Sequence, residues 1–154
     1  MTEEAKNTPE APAFAVQRIY VKDMSFESPN APLIFLQEWE PKIGVEMDNA
    51  INQIDEHSVD VQLKVTVTAH VQDKVAYIAE VVQGGIFIMR GFSEEEHAQL
   101  TGSFCPSTLY PYARQALSDL ITKGSFPPFL LAPVNFDYIY SQHRTQQEKQ
   151  SASA

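Results

Sequence analysis

Alternating apolar and polar positions run through the middle of the chain and predict a β-sheet. In residues 59–70 every second residue is apolar and the residues between them are polar, which is the period of a half-buried strand. The same alternation appears in residues 43–47. In residues 75–81 every second residue is again apolar and continues one face, while Ile78 and Glu80 share the other. Residues 14–23 are rich in β-branched and aromatic side chains, so they predict a further strand near the start.

Short polar turns separate these strands and determine how they pair. Residues 53–58 and 72–74 are too short for the crossover helix that a parallel pair requires. We therefore predict a four-stranded antiparallel sheet covered by helices, in the α+β class, with Ile78 and Glu80 on one side of the fourth strand. The paired glycines at 84–85 interrupt that strand and predict a β-bulge or a close backbone approach.

A helix is predicted over residues 105–124. Pro111 is tolerated best in a first turn, so the helix should begin near Ser107 or just before Pro111, and Lys123-Gly124 should end it. Two small residues in its apolar stripe suit a helix covered on more than one side. A single amphipathic helix lying on its own sheet is the plain alternative. The stripe consists of Leu109, Tyr112, Ala113, Ala116, Leu117, Leu120 and Ile121.

Two further helices are predicted around this one. Ser93-Glu-Glu-Glu96 has the form of a capping box that opens a short helix ending near Leu100. Residues 126–133 contain three prolines and should be extended. Asn135 can then cap a last helix, one side of which carries Phe136, Ile139, Tyr140 and His143.

Large apolar residues also stand where a loop is expected. The prolines of residues 28–32 break regular structure, and Phe26, Phe35, Leu36 and Trp39 lie on either side of them. Two interpretations are open: these side chains close over the core, or they form an apolar surface that another molecule uses.

Length and composition predict one domain. The 154 residues, 44% of them apolar, are enough for one substantial core. We assign the domain to residues 14–144. Residues 1–13 should form a disordered acidic segment, and residues 145–154 a flexible polar tail. No window is apolar enough to span a membrane, and the first residues lack the features of a signal peptide, so we expect a cytoplasmic protein without membrane insertion.

Charge and cysteine content limit the classes of partner and of chemistry that the chain can have. The net charge of −9 disfavours nucleic acid and anionic membranes and favours a basic protein partner. The single cysteine, Cys105, permits no disulfide within the chain and should be a buried small apolar side chain. Of the four histidines only His97 is near it in sequence, and no set of residues has metal-ligand spacing. We therefore predict no enzyme activity, no metal site and no cofactor.

Three motifs resemble a known family. They are Gln83-Gly-Gly-Ile-Phe87, Cys105-Pro-x-x-Leu-Tyr-Pro-Tyr-Ala-Arg114 and Leu131-Ala-Pro-Val-Asn-Phe-Asp137, and Arg18-Ile-Tyr stands near the start. Together they resemble SecB, the bacterial protein-export chaperone family, over residues 14–140. Tyr110 stands where that family usually has phenylalanine, and its hydroxyl needs a partner if it is buried. The last helix also becomes polar after Tyr140, which leaves the extent of its groove wall open.

The resemblance implies an assembly and a function. It implies a homotetramer built as a dimer of dimers that binds unfolded precursor proteins, keeps them translocation-competent and delivers them to the SecA motor. In such a tetramer the central helices pack at the subunit interface. The residues of this chain expected there are Leu109, Tyr112, Ala113, Ala116, Leu117 and Leu120. The matching acids of the family contact the motor, and they correspond to Asp23, Glu27 and Glu80 beside Ile78. Any zinc would belong to the motor's basic tail.

Client binding in that family uses long apolar grooves. We expect the groove of this chain to be formed by Phe26, Phe35, Trp39, Ile43, Val45 and Met47. Two alternatives of other classes are a small-molecule-binding or enzymatic α+β domain with an enclosed pocket and an assembly scaffold without clients.

Overall fold

Four strands form one sheet in the order β1-β4-β3-β2, and each neighbouring pair is antiparallel. The computed structural model describes residues 11–152, so most of the segment predicted to be disordered lies outside the described residues. The predicted four-stranded antiparallel α+β fold is confirmed. The strands are β1 (Ala13–Glu27), β2 (Lys42–Gln53), β3 (Ser58–Val71) and β4 (Lys74–Arg90). The helices are α1 (Glu94–Gln99), α2 (Cys105–Lys123) and α3 (Phe136–Ala152).

One face of the sheet, called here the inner face, is covered by α2. Alternation puts the apolar side chains of β3 and every second side chain of β4 on that face, and α2 packs across these two strands. At the turn between them Gln72 and Asp73 both have positive φ, of 48° and 64°, as a two-residue hairpin loop requires. Fully buried residues of the inner face include Val61, Leu63, Val65, Val67, Tyr77, Ala79 and Val81.

Two register shifts in β1 reset the alternation of its side chains. They fall between Val16 and Arg18 and between Val21 and Asp23, so one extra residue stands at each place. The second shift leaves Val21 on the inner face and turns Asp23 to the outer face. β1 is also longer than predicted, and Phe26, expected in or near a loop, lies on its inner face opposite Ala79.

The paired glycines lie within an unbroken strand. Register is continuous through Gly84 and Gly85 in both ladders, so the predicted interruption and bulge are wrong. The glycines leave room for neighbouring side chains instead of another backbone. A Cβ on Gly84 would lie 2.2 Å from the ring of Tyr20. That ring crosses β4, and its hydroxyl donates to Asp60 on β3 at 2.6 Å. A Cβ on Gly85 would lie 2.9 Å from a methyl group of Leu109 in α2.

The helical segment after β4 is longer than predicted. Ser93 caps α1 with the predicted capping box, and a π-helical turn, Leu100–Phe104, leads directly into α2. α2 therefore begins at Cys105 and contains Pro111 in its interior, so the alternative start just before Pro111 is wrong. Pro111 has no N–H to donate to the carbonyl of Ser107, four residues earlier. Both residues are exposed, so water can hydrogen-bond to that carbonyl.

The chain after α2 returns along the covered face. Phe126, Leu131 and Phe136 are buried in this segment, which is extended, as predicted, until α3 begins. The hydroxyl of Tyr110 finds a partner there, since it donates to the carbonyl of Ala132 at 2.5 Å. α3 packs on the π-helical turn and continues to Ala152. The flexibility predicted for its polar end stays a prediction.

Candidate functional site

Five aromatic side chains meet at one end of the inner face. We call them the aromatic cluster, and their ring centroids lie 4.9 to 6.3 Å apart in six pairs. This spacing is typical of packed aromatic rings. Phe126 lies at the centre, since it contacts all four other rings. The cluster consists of Phe26, Phe35, Trp39, Tyr77 and Phe126.

The rings come from β1, β4, the segment after α2 and the chain between β1 and β2, which carries two of them and is held by hydrogen bonds. The side chain of Ser28 donates to the carbonyl of Ala76 at 2.8 Å, and that of Asn30 donates to the carbonyl of Val75 at 2.9 Å. These bonds fix the chain between β1 and β2 against the start of β4. Phe35 then lies on a single 3-10 turn, Leu33–Leu36, and Trp39 follows it.

The cluster is partly open to solvent. Phe35 is 47% exposed, and its neighbours Leu33 and Leu36 are 70% and 82% exposed. Tyr77 is fully buried, and its hydroxyl has no hydrogen-bond partner among the described residues. Burial raises the pKa of Tyr77 to about 12. The cluster therefore combines a buried floor with an exposed apolar rim.

The predicted groove residues of β2 extend this apolar surface along the sheet edge. Ile43, Val45 and Met47 lie opposite Ala69, Val67 and Val65 of β3, and directly opposed residues of an antiparallel pair share a face. All three therefore line the inner face. Ile43 and Met47 are half-buried, and Val45 is 40% exposed. The six residues predicted as a groove thus share one face, three of them in the aromatic cluster and three along β2.

The predicted acidic residues gather on the opposite face of the sheet. In the β1–β4 ladder Glu27 is opposite Ile78, Ser25 is opposite Glu80, and Asp23 is opposite Val82, so all three acids lie on the outer face. Ile78 is half-buried there. We call Asp23, Glu27, Ile78 and Glu80 the acidic surface.

The three acids differ in their neighbours. Glu80 accepts a hydrogen bond from the hydroxyl of Thr66 at 2.9 Å and lies 3.8 Å from the ammonium of Lys64. No ion pair within residues 11–152 involves Asp23 or Glu27, and both are exposed. Their charge is therefore available to a basic partner.

The predicted assembly residues of α2 divide into two groups. Leu109, Ala113 and Leu117 are 0 to 1% exposed within one subunit, because the 3.6-residue period turns them toward the subunit's own sheet. These three belong to the core of the subunit and leave no side-chain surface for a second copy. The other three keep accessible surface: Tyr112 is 52% exposed, and Ala116 and Leu120 are half-buried.

Two cluster residues were not predicted from sequence. Tyr77 had been placed correctly on one face of β4, but strand alternation does not reveal that other aromatic rings converge on it. Phe126 stands next to two prolines in an extended segment. The sequence offers one indication of its role, which is an aromatic side chain in a proline-rich segment that does not form a helix or a strand.

The residues considered for catalysis lack a reactive arrangement. Cys105 is fully buried, and burial raises the pKa of its thiol to about 12, so little thiolate is available at neutral pH. Within residues 11–152 no group of three His, Cys, Asp or Glu side chains is placed to hold a metal ion. No helix in the same range has the length and apolar character to cross a membrane.

Comparison with known proteins gives consistent matches over most of the chain. A family model described as "Preprotein translocase subunit SecB" matches residues 7–147. The "Protein-export protein SecB" of Nitrosococcus oceani is 51% identical over 143 residues, which cover 92% of this chain and 86% of that protein. The proteins of the same name from Methylococcus capsulatus and Marinobacter nauticus are each 48% identical over 141 residues. Those alignments cover 92% of this chain and 91% and 86% of the relatives.

A solved structure supports the fold independently. The SecB-like chaperone of Mycobacterium tuberculosis superposes with a TM-score of 0.65 at 18% identity, covering 79% of this chain and 91% of that chain. At this identity the likeness is one of fold. The family model and the identity of about one half to full-length relatives show that this chain belongs to the SecB family of preprotein translocase subunits, the protein-export chaperones.

Proposed function

We propose that this chain holds unfolded precursor proteins in the groove formed by the aromatic cluster and β2, and that it delivers them to the SecA motor. The observation that carries the proposal is the partly open aromatic cluster, continued by Ile43, Val45 and Met47 on the same face. Family membership supports it. The M. tuberculosis SecB-like chaperone was solved with a peptide of the HigA1 antitoxin, which is consistent with peptide binding on this fold.

The driving force is burial of apolar surface. Each square ångström of apolar area removed from water contributes about 25 cal/mol, and this term does not require a particular client sequence. Several grooves in one tetramer would bind separate segments of one client, so that weak sites act as a strong binder. A client that folds quickly buries its apolar segments before the chaperone can bind them. No cofactor, metal or catalytic step is needed, and the proposed location is the cytoplasm.

Docking to SecA is proposed at the acidic surface. Its three carboxylates lie on one face, and two of them have no ion-pair partner within the part of the chain that the structure describes. A basic segment of the motor would complement this charge, and the contact should weaken as salt is added.

Assembly as a dimer of dimers is proposed to use apolar surface that one subunit leaves open. On the inner face, β1 carries Val16, Val21 and Met24, which are 44 to 49% exposed, because α2 lies over β3 and β4 instead. On α2, Tyr112 is the largest exposed apolar side chain. Burying these residues would remove apolar patches that are uncommon on monomers.

Client binding is tested with the intrinsic fluorescence of Trp39, the only tryptophan. An unfolded, tryptophan-free precursor should shift its emission and co-elute with the protein on gel filtration. Phe35→Asp should weaken the affinity about tenfold or more, because it places a charge on the apolar rim. Gln37→Asp is the matched control, since it adds the same charge to an exposed residue two positions away. Equal affinity of both variants would refute the assignment, and no complex with the parent protein would favour a scaffold.

Motor docking is tested with a charge reversal and a matched control. Glu80→Lys should weaken SecA binding, measured by calorimetry, while the tetramer mass and client affinity stay unchanged. Asp48→Lys makes the same change on the outer face of β2, opposite Lys64, and should leave SecA affinity near that of the parent. Because Glu80 has neighbours of its own, Glu27→Lys serves as a second variant at an exposed site. Unchanged SecA affinity in both acidic-surface variants would overturn this docking site.

A further inference from the structure

We propose that Lys64 is an internal competitor for the acidic surface. It pairs with Glu80 in the free protein, and a basic residue of the motor displaces it on docking. This inference rests on the proposed docking to SecA and deepens it, because it names a residue that lowers the affinity of that contact. Lys64 lies on β3 and is not one of the four residues of the acidic surface.

Lys64 is the only cation in three rows of directly opposed residues that cross the outer face. The three ladders align these rows through all four strands, and they contain five carboxylates. Lys64 lies between the acidic surface and the two carboxylates of β2. The first row consists of Asp23, Val82, Lys64 and Asp48, the second of Ser25, Glu80, Thr66 and Glu46, and the third of Glu27, Ile78, Thr68 and Gly44.

The geometry of the pair leaves one oxygen of Glu80 open to a stronger donor. Oε2 accepts the hydrogen bond from the hydroxyl of Thr66 at 2.9 Å. Oε1 lies 3.8 Å from Nζ of Lys64, which is beyond hydrogen-bond distance. Lys64 therefore attracts the carboxylate without bonding to it. An arginine or lysine of a partner can form a shorter, charge-assisted hydrogen bond to the same oxygen.

The two members of the pair differ in how firmly they are held. Thr66 is directly opposite Glu80, so a short side chain fixes the carboxylate in place. Lys64 is opposite Val82 and reaches Glu80 along the diagonal, which only a long side chain can do. The side chain of Lys64 is 48% exposed and that of Glu80 is 26% exposed. Lys64 can therefore withdraw into water while Glu80 stays in position.

The competition is specific to Glu80. Asp23 shares the row of Lys64 but lies two strands away, at a distance of about 10 Å. Neither Asp23 nor Glu27 takes part in an ion pair within residues 11–152. Two acids thus attract the motor without competition, and the third is released only when Lys64 leaves. Because exposed ion pairs are weak, Lys64 should lower the docking affinity severalfold without preventing docking.

Calorimetry with SecA at low salt tests the proposal. Lys64→Gln should bind SecA about two- to fivefold more tightly than the parent, the range expected for losing one exposed ion pair. The gain should decrease as salt is added. Lys64→Arg keeps the cation and should bind no more tightly than the parent. Client affinity and the circular dichroism of Lys64→Gln should stay unchanged, because the substitution is on the face opposite the groove.

Lys42→Gln is the matched control for the loss of one positive charge. Lys42 is exposed on the outer face of β2, and no ion pair within residues 11–152 involves it. Its replacement should change SecA affinity less than Lys64→Gln does. The proposal would be overturned by an equal gain in Lys42→Gln, by a gain in Lys64→Arg, or by no gain in Lys64→Gln.

Glu80→Gln shows whether Lys64 acts through Glu80. Glutamine keeps an oxygen for Thr66 but carries no charge, so combining it with Lys64→Gln should give no gain over Glu80→Gln alone. The same gain in that background would mean that Lys64 acts only through the general field, and it would overturn the proposal. Glu80→Gln alone should weaken SecA binding. If Glu80→Gln and Glu27→Lys both bind SecA as the parent does, the docking site itself is refuted, and this inference with it.

Discussion

Replacing Tyr77 with phenylalanine should make the protein more stable. The side chain is fully buried, and its ring packs against three rings of the aromatic cluster. Its hydroxyl has no hydrogen-bond partner among the described residues. The ring supplies the packing, and the oxygen has lost its bonds to water without replacement.

The magnitude is set by desolvation of one hydroxyl. A buried polar group without a partner costs about 1–3 kcal/mol, so Tyr77→Phe should raise the free energy of unfolding by about 1 kcal/mol or more. Tyr110→Phe is the matched control. Tyr110 is almost as buried, but its hydroxyl donates to the carbonyl of Ala132. Removing the same atom there should lower stability by about 1 kcal/mol, so the two variants should differ in sign.

The pH dependence of stability adds a second readout. Burial raises the pKa of Tyr77 from 10.0 to about 12, so the fold favours the neutral hydroxyl. This pKa difference contributes to the free energy of unfolding. The contribution is fully present below the unfolded pKa of 10.0 and is lost as pH rises toward the folded pKa of about 12. Phenylalanine cannot ionise. The stability advantage of Tyr77→Phe over the parent should therefore grow between these two pH values.

Urea unfolding monitored by circular dichroism measures both effects. Protein concentration must be equal for all variants, because assembly adds to apparent stability. The reasoning would be refuted if Tyr77→Phe were less stable than the parent by as much as Tyr110→Phe. Such a result would mean that the hydroxyl has a hydrogen-bond partner in solution.

Three other results are expected. Cys105 should resist a thiol reagent at pH 8 in the folded protein and react on unfolding. The reason is that its thiol is buried, with a pKa of about 12. Rapid reaction of the folded protein would contradict this. Gly85→Ala should lower the unfolding free energy by about 1–3 kcal/mol, since its Cβ would lie 2.7 Å from the ring of Phe87 and 2.9 Å from Leu109. A neutral effect in urea unfolding would show that these two side chains shift freely. Tyr112→Glu should reduce the mass measured by light scattering while the circular dichroism stays unchanged, and an unchanged mass would exclude this residue from the assembly interface.

The sheet could be predicted because its strands obey a simple period. β3 alternates without exception from Val59 to His70, and the turns on either side are short, so both strand identity and antiparallel pairing could be inferred. β4 was predicted too short, because Gly84 and Gly85 were interpreted as an interruption. Their small size instead serves neighbours on opposite faces, Tyr20 outside and Leu109 inside, and a single sequence does not reveal such neighbours.

The acidic surface and the groove were harder to predict as surfaces. β1 does not show a constant period, because each register shift inserts one residue and reverses the inward and outward alternation of the residues after it. Counting from Val21 without the shift would place Asp23 on the inner face and Phe26 on the outer face. The three acids of the acidic surface are identified from the resemblance to the family. The pairing of β1 with β4 explains why they lie on one face.

The second shift in β1 allows one pair of strands to present different chemistry on its two faces. After it, Phe26 joins the aromatic cluster on the inner face while its neighbour Glu27 lies on the outer face opposite Ile78. If clients bind inside and the motor docks outside, the two partners do not compete for one surface, so both can bind at the same time. Release would then require a change transmitted through β1 and β4 or contact of the motor with the client itself. A deletion of Met24, which follows the shift, would place Phe26 opposite Glu80 and Glu27 opposite Ala79. This exchanges the faces of Phe26 and Glu27, so it should impair client binding and motor docking together.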